Sequence, residues 1–211
     1  RTTIESIYPP GGQQGTEVEI TIKGKENGDA KWLKFTHDGI KAEPTKNDKG
    51  KNETGKFKVR IGKDVPTGLY EAQLGGGRFG ASNIGTFVVG SLPSALSPAD
   101  NNSKEKAFPI EQGTTITGKT VARKYTFFKF NAKKGQKLLI HCATEEIDSN
   151  LSPVLNVFDA QGNELASEDN SGILDFSPVA DGEYYIQLFD FLYGGSDLHY
   201  FQLTVSERPQ I

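Results

Sequence analysis

Between Phe127 and Val205 the chain is a succession of short alternating runs, rich in aromatic and β-branched residues and cut by glycine-containing turns. FFKF, KLLIHC, NVFD, GEYYIQLFD and HYFQLTV are the runs, and KKGQ, AQGN and ADG are the cuts. Successive side chains of a strand point to opposite faces, so a period of two buries one face and leaves the other in water. No stretch sustains the period of about 3.6 residues that an amphipathic helix needs. The pattern predicts strands at Thr114–Thr117, Lys124–Asn131, Lys137–Ala143, Val154–Asp159, Glu164–Ser167, Gly172–Val179, Gly182–Phe189 and Leu198–Ser206. Folded together they make a jelly-roll-like sandwich.

Residues 1–90 carry the same signature. Strands are predicted at Thr3–Tyr8, Glu17–Ile22, Lys31–Thr36, Ile40–Pro44, Gly55–Ile61, Gly68–Leu74 and Ser82–Val89. Pro9-Pro10-Gly11-Gly12 and Lys46-Asn47-Asp48-Lys49-Gly50 read as turns, because proline fixes φ and glycine permits positive φ. Strands at this spacing fit an immunoglobulin-like sandwich. Trp32, the sole tryptophan, is assigned to its core beside Leu33. Residues 91–103, SLPSALSPADNNS, are dominated by Ser, Pro and Asn and read as a linker, along which Leu92 and Leu96 are expected to pack against the domain that follows. The expected fold class is therefore all-β, with two β-sandwich domains at 1–90 and 91–211.

Composition narrows the function. The 24 glycines, 10 prolines and 35% hydrophobic content fit a turn-rich β protein with a modest core. No apolar run approaches the roughly 18 residues of a membrane helix, so no membrane insertion is expected. Residues 1–90 hold 14 Lys and Arg against 11 Asp and Glu, whereas 91–211 hold 10 against 16. Neither half has a concentrated basic patch, and the acidic second half repels phosphate backbones, which excludes nucleic acid as a partner. A chain beginning at Arg1 and lacking methionine is expected to be part of something larger.

Catalytic signatures are missing or hollow. Gly113-Thr114-Thr115-Ile116-Thr117-Gly118-Lys119-Thr120 spells the G-x-x-x-x-G-K-[ST] string of a P-loop. That loop works only when it opens a helix whose N-terminus cradles phosphate, and here Val121–Phe130 is β-patterned. Gly75–Gly80 reads as a hairpin loop, since it separates two predicted strands. His37, His141 and His199 have no metal-ligand spacing. Cys142, the lone cysteine, shares a strand face with Leu138 and Ile140, and His141 beside it points the other way, so it reads as a core thiol. There is no G-x-S-x-G elbow and no H-E-x-x-H pair. The chain is expected not to be an enzyme and to use no cofactor.

Two family resemblances sharpen the picture. Ile4, Ile7, Pro9, Gly12, Gly15, Thr16, Val18, Ile20 and Gly24, with the later Pro66-x-Gly68-x-Tyr70 hairpin, resemble the IPT/TIG type of immunoglobulin-like domain. The second half resembles the bacterial pre-peptidase C-terminal (PPC) domain. The matching pieces are Phe127–Phe130, Lys134–Leu138, Pro153–Asp159 with Gly162, Asp181–Ile186 and Tyr200–Val205. The pairing of the two is similar to large secreted proteins of planctomycete-type bacteria. The resemblance implies an extracytoplasmic location, other domains of the parent protein as partners, and a parent of the secreted-peptidase kind.

Two candidate sites follow. Calcium prefers clustered carboxylate and carbonyl oxygens, and Asp100, Asn102 and Asp169 are the candidate ligands. In calcium-binding relatives of the PPC domain two acids stand at a strand entry where this chain has Lys124 and Thr126, which removes ligands and adds a positive charge. The loop Asp190-Phe191-Leu192-Tyr193-Gly194-Gly195-Ser196-Asp197 is aromatic and set between two strong strands. Tyr193 with Asp190 and Asp197 is the candidate contact for a polysaccharide or protein surface. The expected function is that of a non-catalytic accessory or adhesion module, with carbohydrate binding through 190–197 as the alternative.

Overall fold

The computed structural model describes residues 1–209. Among them regular structure is all strand, apart from two single 3-10 turns at Lys104–Lys106 and Glu145–Ile147. The chain divides into two compact units, Arg1–Ser91 and Leu92–Ile211, and each has its own buried core.

The first unit contains β1 (Ser6–Tyr8), β2 (Gly11–Gln13), β3 (Glu17–Lys23), β4 (Trp32–Phe35), β5 (Ile40–Lys46), β6 (Asn52–Ile61), β7 (Gly68–Gly75) and β8 (Gly85–Gly90). They form two sheets, ordered β1-β3-β6-β5 and β2-β8-β7-β4. Alternation sends Ile20 and Ile22, Phe57, Val59 and Ile61, Ala72 and Leu74, and Phe87 and Val89 into a shared core. On the outer face of the first sheet the register sets opposite charges side by side. Glu17 faces Arg60, Glu19 faces Lys58, and Lys58 faces Glu43 on its other flank. Cross-strand pairs of this kind add a few tenths of a kcal/mol each, and the charges keep the face in water.

Two expectations for this unit need correction. The predicted turn at Pro9–Gly12 is in part a strand: β1 pairs antiparallel with β3, and after Pro10 the chain changes sheet, so that β2 pairs parallel with β8. A Cβ on Gly11 would lie 2.0 Å from the carbonyl oxygen of Val88, so the two backbones pair only because that residue has no side chain. Gly11→Ala is expected to cost the unit about 2 kcal/mol through this clash, read as a lower urea midpoint of Trp32 emission. Trp32 is the second correction. Neighbours on a strand cannot both face inward; Leu33 takes the core, and Trp32 lies against Gly75 and Gly76, where a Cβ would come within 2.4 and 2.8 Å of the indole. The glycine-rich stretch is thus partly a seat for Trp32, and the Lys34 ammonium lies 4.9 Å from the ring centre.

The second unit contains β9 (Ser94–Leu96), β10 (Phe108–Pro109), β11 (Thr115–Lys119), β12 (Thr126–Ala132), β13 (Leu138–Ala143), β14 (Pro153–Phe158), β15 (Glu164–Asp169), β16 (Ile173–Phe176), β17 (Gly182–Asp190) and β18 (Tyr200–Glu207). Two sheets, β10-β12-β17-β14-β15 and β16-β13-β18-β11-β9, close over one core. Phe128, Phe130, Leu155, Val157, Ile186 and Leu188 enter it from the first, and Leu138, Ile140, Cys142, Phe201, Leu203 and Val205 from the second. β9 and β10 were not predicted; both are short and run parallel to their neighbours. β9 lies inside the expected linker. Register places Ala95 opposite the core residue Ile116, so Ala95 turns inward and Leu96 stays 58% exposed, against the expectation that Leu96 would pack. The P-loop-like string is mostly β11: the Phe201 ring fills the space a Cβ on Gly118 would need, and Lys119 Nζ pairs with Asp197 at 2.8 Å.

Candidate binding face

The outer face of the β10-β12-β17-β14-β15 sheet is aromatic as well as its inner one. While Phe128 and Phe130 of β12 and Tyr184, Ile186 and Leu188 of β17 point inward, alternation leaves Phe127, Tyr185, Gln187, Phe189, Asn156 and Phe158 half-buried on the outside. Register orders them in rows across the strands. One row is Phe127, Gln187, Asn156 and Ser167, and the next is Lys129, Tyr185, Phe158 and Glu164. On the other flank Phe189 stands beside Val154, and Tyr125, one residue ahead of β12, meets its ring edge-on at 5.0 Å and 71°. Tyr125 also meets Phe127 at 6.3 Å and 82°.

Tyr193 completes this cluster from the loop after β17. Its ring lies flat on Phe189, 5.2 Å away and tilted by 16°, with its edge toward Tyr125 at 6.3 Å. A hydrogen bond with Tyr125, the charge of that group and desolvation all raise the Tyr193 phenol above its ordinary value, so the Tyr193 ring is neutral across the physiological range. The backbone at Tyr193 is left-handed, with φ of 57°. For a tyrosine that costs on the order of 1–2 kcal/mol and persists only where the surroundings enforce it.

Asp190 is the enforcing group. It is 4% exposed, and its carboxylate accepts from the backbone N–H of Ser152 at 2.9 Å, Leu192 at 3.0 Å and Gly194 at 2.9 Å. The return limb is tied as well: Arg123 N–H donates to the Tyr193 carbonyl at 2.9 Å and Thr120 Oγ1 to that of Gly194 at 3.1 Å. Gly195 lets the limb approach, since a Cβ there would sit 2.1 Å from the Ala122 nitrogen. Held this way, the loop tip leaves Leu192 82% and Tyr193 47% exposed.

Of the three loop residues named from sequence, Tyr193 is the one whose side chain is exposed and bound to no backbone group or ion-pair partner. Asp190 is spent on the backbone beneath it, and Asp197 pairs with Lys119. The three calcium candidates do not meet. Asp100 and Asn102 flank Asn101, whose side chain and carbonyl bond the backbone of Phe127 on β12, while Asp169 ends β15. At least three strand spacings, about 14 Å, separate those positions, whereas a calcium ligand sits about 2.3–2.6 Å from the ion. Among the described residues no group of three or more His, Cys, Asp or Glu is placed to hold a metal.

The histidines have separate partners: Gly39 N–H for His37, Glu146 for His141 and Ser196 for His199. Cys142 is buried in the core, and burial pushes its thiol well up. It is expected to stay unmodified by a maleimide under native conditions and to react stoichiometrically in urea. Tyr125, Phe127, Phe189, Asn156 and Gln187 are members of the face that sequence reasoning missed. The signal was present in the i, i+2 spacing of 125 and 127 and of 185, 187 and 189, but both faces of these strands are aromatic.

Residues 124–190 match the model of the bacterial pre-peptidase C-terminal domain. That segment holds β12, β14 and β17 and so most of the face. Among solved structures the chain is similar to the pre-peptidase C-terminal domain of collagenase from Bacillus anthracis, at 21% identity over 50% of this chain and 99% of that one, with a TM-score of 0.40. It is similar to PliG of Aeromonas hydrophila, a periplasmic inhibitor of g-type lysozyme, at 15% identity over 53% and 98%, with a TM-score of 0.38. A third likeness is to SGBP-B of the Bacteroides ovatus mixed-linkage glucan utilization locus, at 9% identity over 94% and 73%, with a TM-score of 0.32. No curated protein matches the chain.

Proposed function

We propose that this chain is a non-catalytic accessory module whose second unit carries the binding surface. The observation behind this reading is the cluster of Tyr125, Phe127, Phe189 and Tyr193 on a sheet face, with Tyr125 and Tyr193 exposed and the Tyr193 loop held by a buried carboxylate. Contiguous exposed aromatic groups on a soluble domain mark an interaction surface, which scattered single ones do not. The first unit, a two-sheet sandwich with a charged outer face, fits the role of a spacer of the IPT/TIG kind. The match to the pre-peptidase C-terminal domain supports placing the chain in a larger exported protein, working outside the cytoplasm, with a secreted peptidase as the parent. The planctomycete-type pairing of the two modules belongs to the same reading. No helix among the described residues is long and apolar enough to cross a membrane.

Sedimentation with insoluble extracellular polymers tests this. The chain is expected to leave the supernatant with at least one of cellulose, chitin or fibrous collagen. The double variant Tyr125→Ala/Tyr193→Ala should bind about tenfold more weakly, as expected when central aromatic anchors are lost, with an unchanged melting temperature. Unaltered sedimentation of the variant would remove the face from the proposal, and turnover of any of the polymers by the purified chain would end the non-catalytic reading.

A further inference from the structure

We infer that the ligand of this face is a neutral polysaccharide chain; the inference rests on the accessory-module reading and names the ligand class of that site. The first support is the geometry of Tyr193. One face of its ring is stacked on Phe189, and the residue is 47% exposed, which leaves the other face open and fixed in orientation. A sugar ring carries C–H groups on its flat side and hydroxyls at its rim. Stacked on such a platform, it buries the first and keeps the second available for hydrogen bonds.

The second support lies in the adjacent row. Asn156 Nδ2 donates to Gln187 Oε1 at 2.9 Å. That bond uses one atom of each amide and leaves the Gln187 NH2 and the Asn156 carbonyl as one donor group and one acceptor on this half-buried face. A hydroxyl both donates and accepts, so a row of hydroxyls is complementary to this pair. A carboxylate or phosphate would use the donor alone.

Charge is the third. The central rows contain Phe127, Gln187, Asn156, Ser167, Phe189 and Val154, and the charges stand at the border: Lys129 and Glu164 in one flanking row, Asp169 beside Val154 at the sheet edge, and Arg123 and Lys124 just before Tyr125. Residues 91–211 hold 16 acids against 10 bases, which disfavours a polyanion. A peptide added as a strand needs a free sheet edge, and β12, β17 and β14 each have a neighbour on both sides.

Lys104 marks where contact ends. Its ammonium lies 4.7 Å from the centre of the Tyr185 ring and donates to the carbonyls of Asp159 at 3.4 Å and Ala160 at 3.0 Å, so Tyr185 is capped from within the protein. Phe189 and Gln187 are about 7 Å apart along β17, and the Tyr193 ring is stacked on Phe189. A single six-membered ring does not cover that span, so the site takes a chain.

Native affinity electrophoresis of the whole chain provides the test, with gels containing hydroxyethylcellulose, galactomannan, arabinoxylan, polygalacturonate, hyaluronan or gelatin. At least one of the three neutral polysaccharides should retard the protein. Tyr193→Ala should weaken that interaction about tenfold and Asn156→Ala/Gln187→Ala about fivefold, while Lys137→Ala leaves it unchanged. Retardation by gelatin alone, lost in Tyr193→Ala, would overturn the sugar assignment and leave the binding face standing. Retardation by the two acidic polysaccharides alone, or by no polymer, would also overturn it, while the sedimentation assay judges the face independently. Retardation that Tyr193→Ala does not alter would refute the placement of a sugar on this ring.

Discussion

Phe201→Ala is expected to destabilise the second unit by about 3–5 kcal/mol. Phe201 is fully buried on β18 and meets Phe128 of the opposing sheet edge-on, with ring centres 6.0 Å apart at 79°, so it joins the two layers of the sandwich. Its ring also occupies the space over Gly118, which has no side chain to fill a void there. The truncation therefore loses the transfer energy of the ring and leaves a cavity that close-packed neighbours cannot collapse into. Phe201→Leu, which keeps most of the volume, should cost only about 1–2 kcal/mol. Hydrogen exchange along β13 and β18 reads the effect directly. Trp32 emission does not, because that residue belongs to the first unit. A loss below 1 kcal/mol for the alanine variant would contradict the central place given to this ring.

The second large effect is expected at Asp190. Asp190→Ala strips the acceptor from the backbone N–H groups of Ser152, Leu192 and Gly194 in one step. Bonds to a charged acceptor are worth about 1.5–3 kcal/mol each, and part of that is recovered when the loop opens to water, so a net loss of about 3 kcal/mol is expected. Asp190→Asn retains one acceptor oxygen and should lose roughly half as much. The distinguishing result concerns the face. Asp190→Ala should weaken polymer binding about tenfold, as far as Tyr193→Ala does, although Asp190 touches no ligand, because Tyr193 is no longer held in its left-handed backbone against Phe189. Tyr193→Ala should weaken binding to the same extent, about tenfold, with stability kept to within about 1 kcal/mol, as for an exposed side chain. Binding by Asp190→Ala equal to that of the wild type would mean that the loop is ordered by something else.

Sheet membership was much less legible than strand identity. Alternation in EVEITIK or GEYYIQLFD is a local property, and each such run is a strand in the structure. β2, β9 and β10 escaped because strands of two or three residues have no period to detect and exist only where a neighbour offers its backbone. The turn residues before β2 concealed a change of sheet. In the candidate loop, Tyr193 was legible as an aromatic between two strands, but the sequence treated Asp190, Tyr193 and Asp197 alike. One is a buried acceptor, one an exposed ring and one an ion-pair partner of Lys119, and those differences come from neighbours far along the chain.

From the sequence alone came the all-β class, the division near residue 90, the pre-peptidase-like pattern of the second half and the strand character of the P-loop-like string. All of these depend on residue order over ten or twenty positions, where side-chain alternation and turn chemistry act. Tertiary structure decided which aromatic face is buried and which is open. In β12 and β17 both faces are ring-bearing, so hydrophobicity could not choose between them. Burial of one face follows from the register that opposes Phe128 to Ile186 and from the second sheet closing over that side. What remains outside, Phe127, Gln187 and Phe189 with Asn156 from β14 and Tyr193 from the loop, is a surface assembled from segments that together span more than sixty residues of the chain.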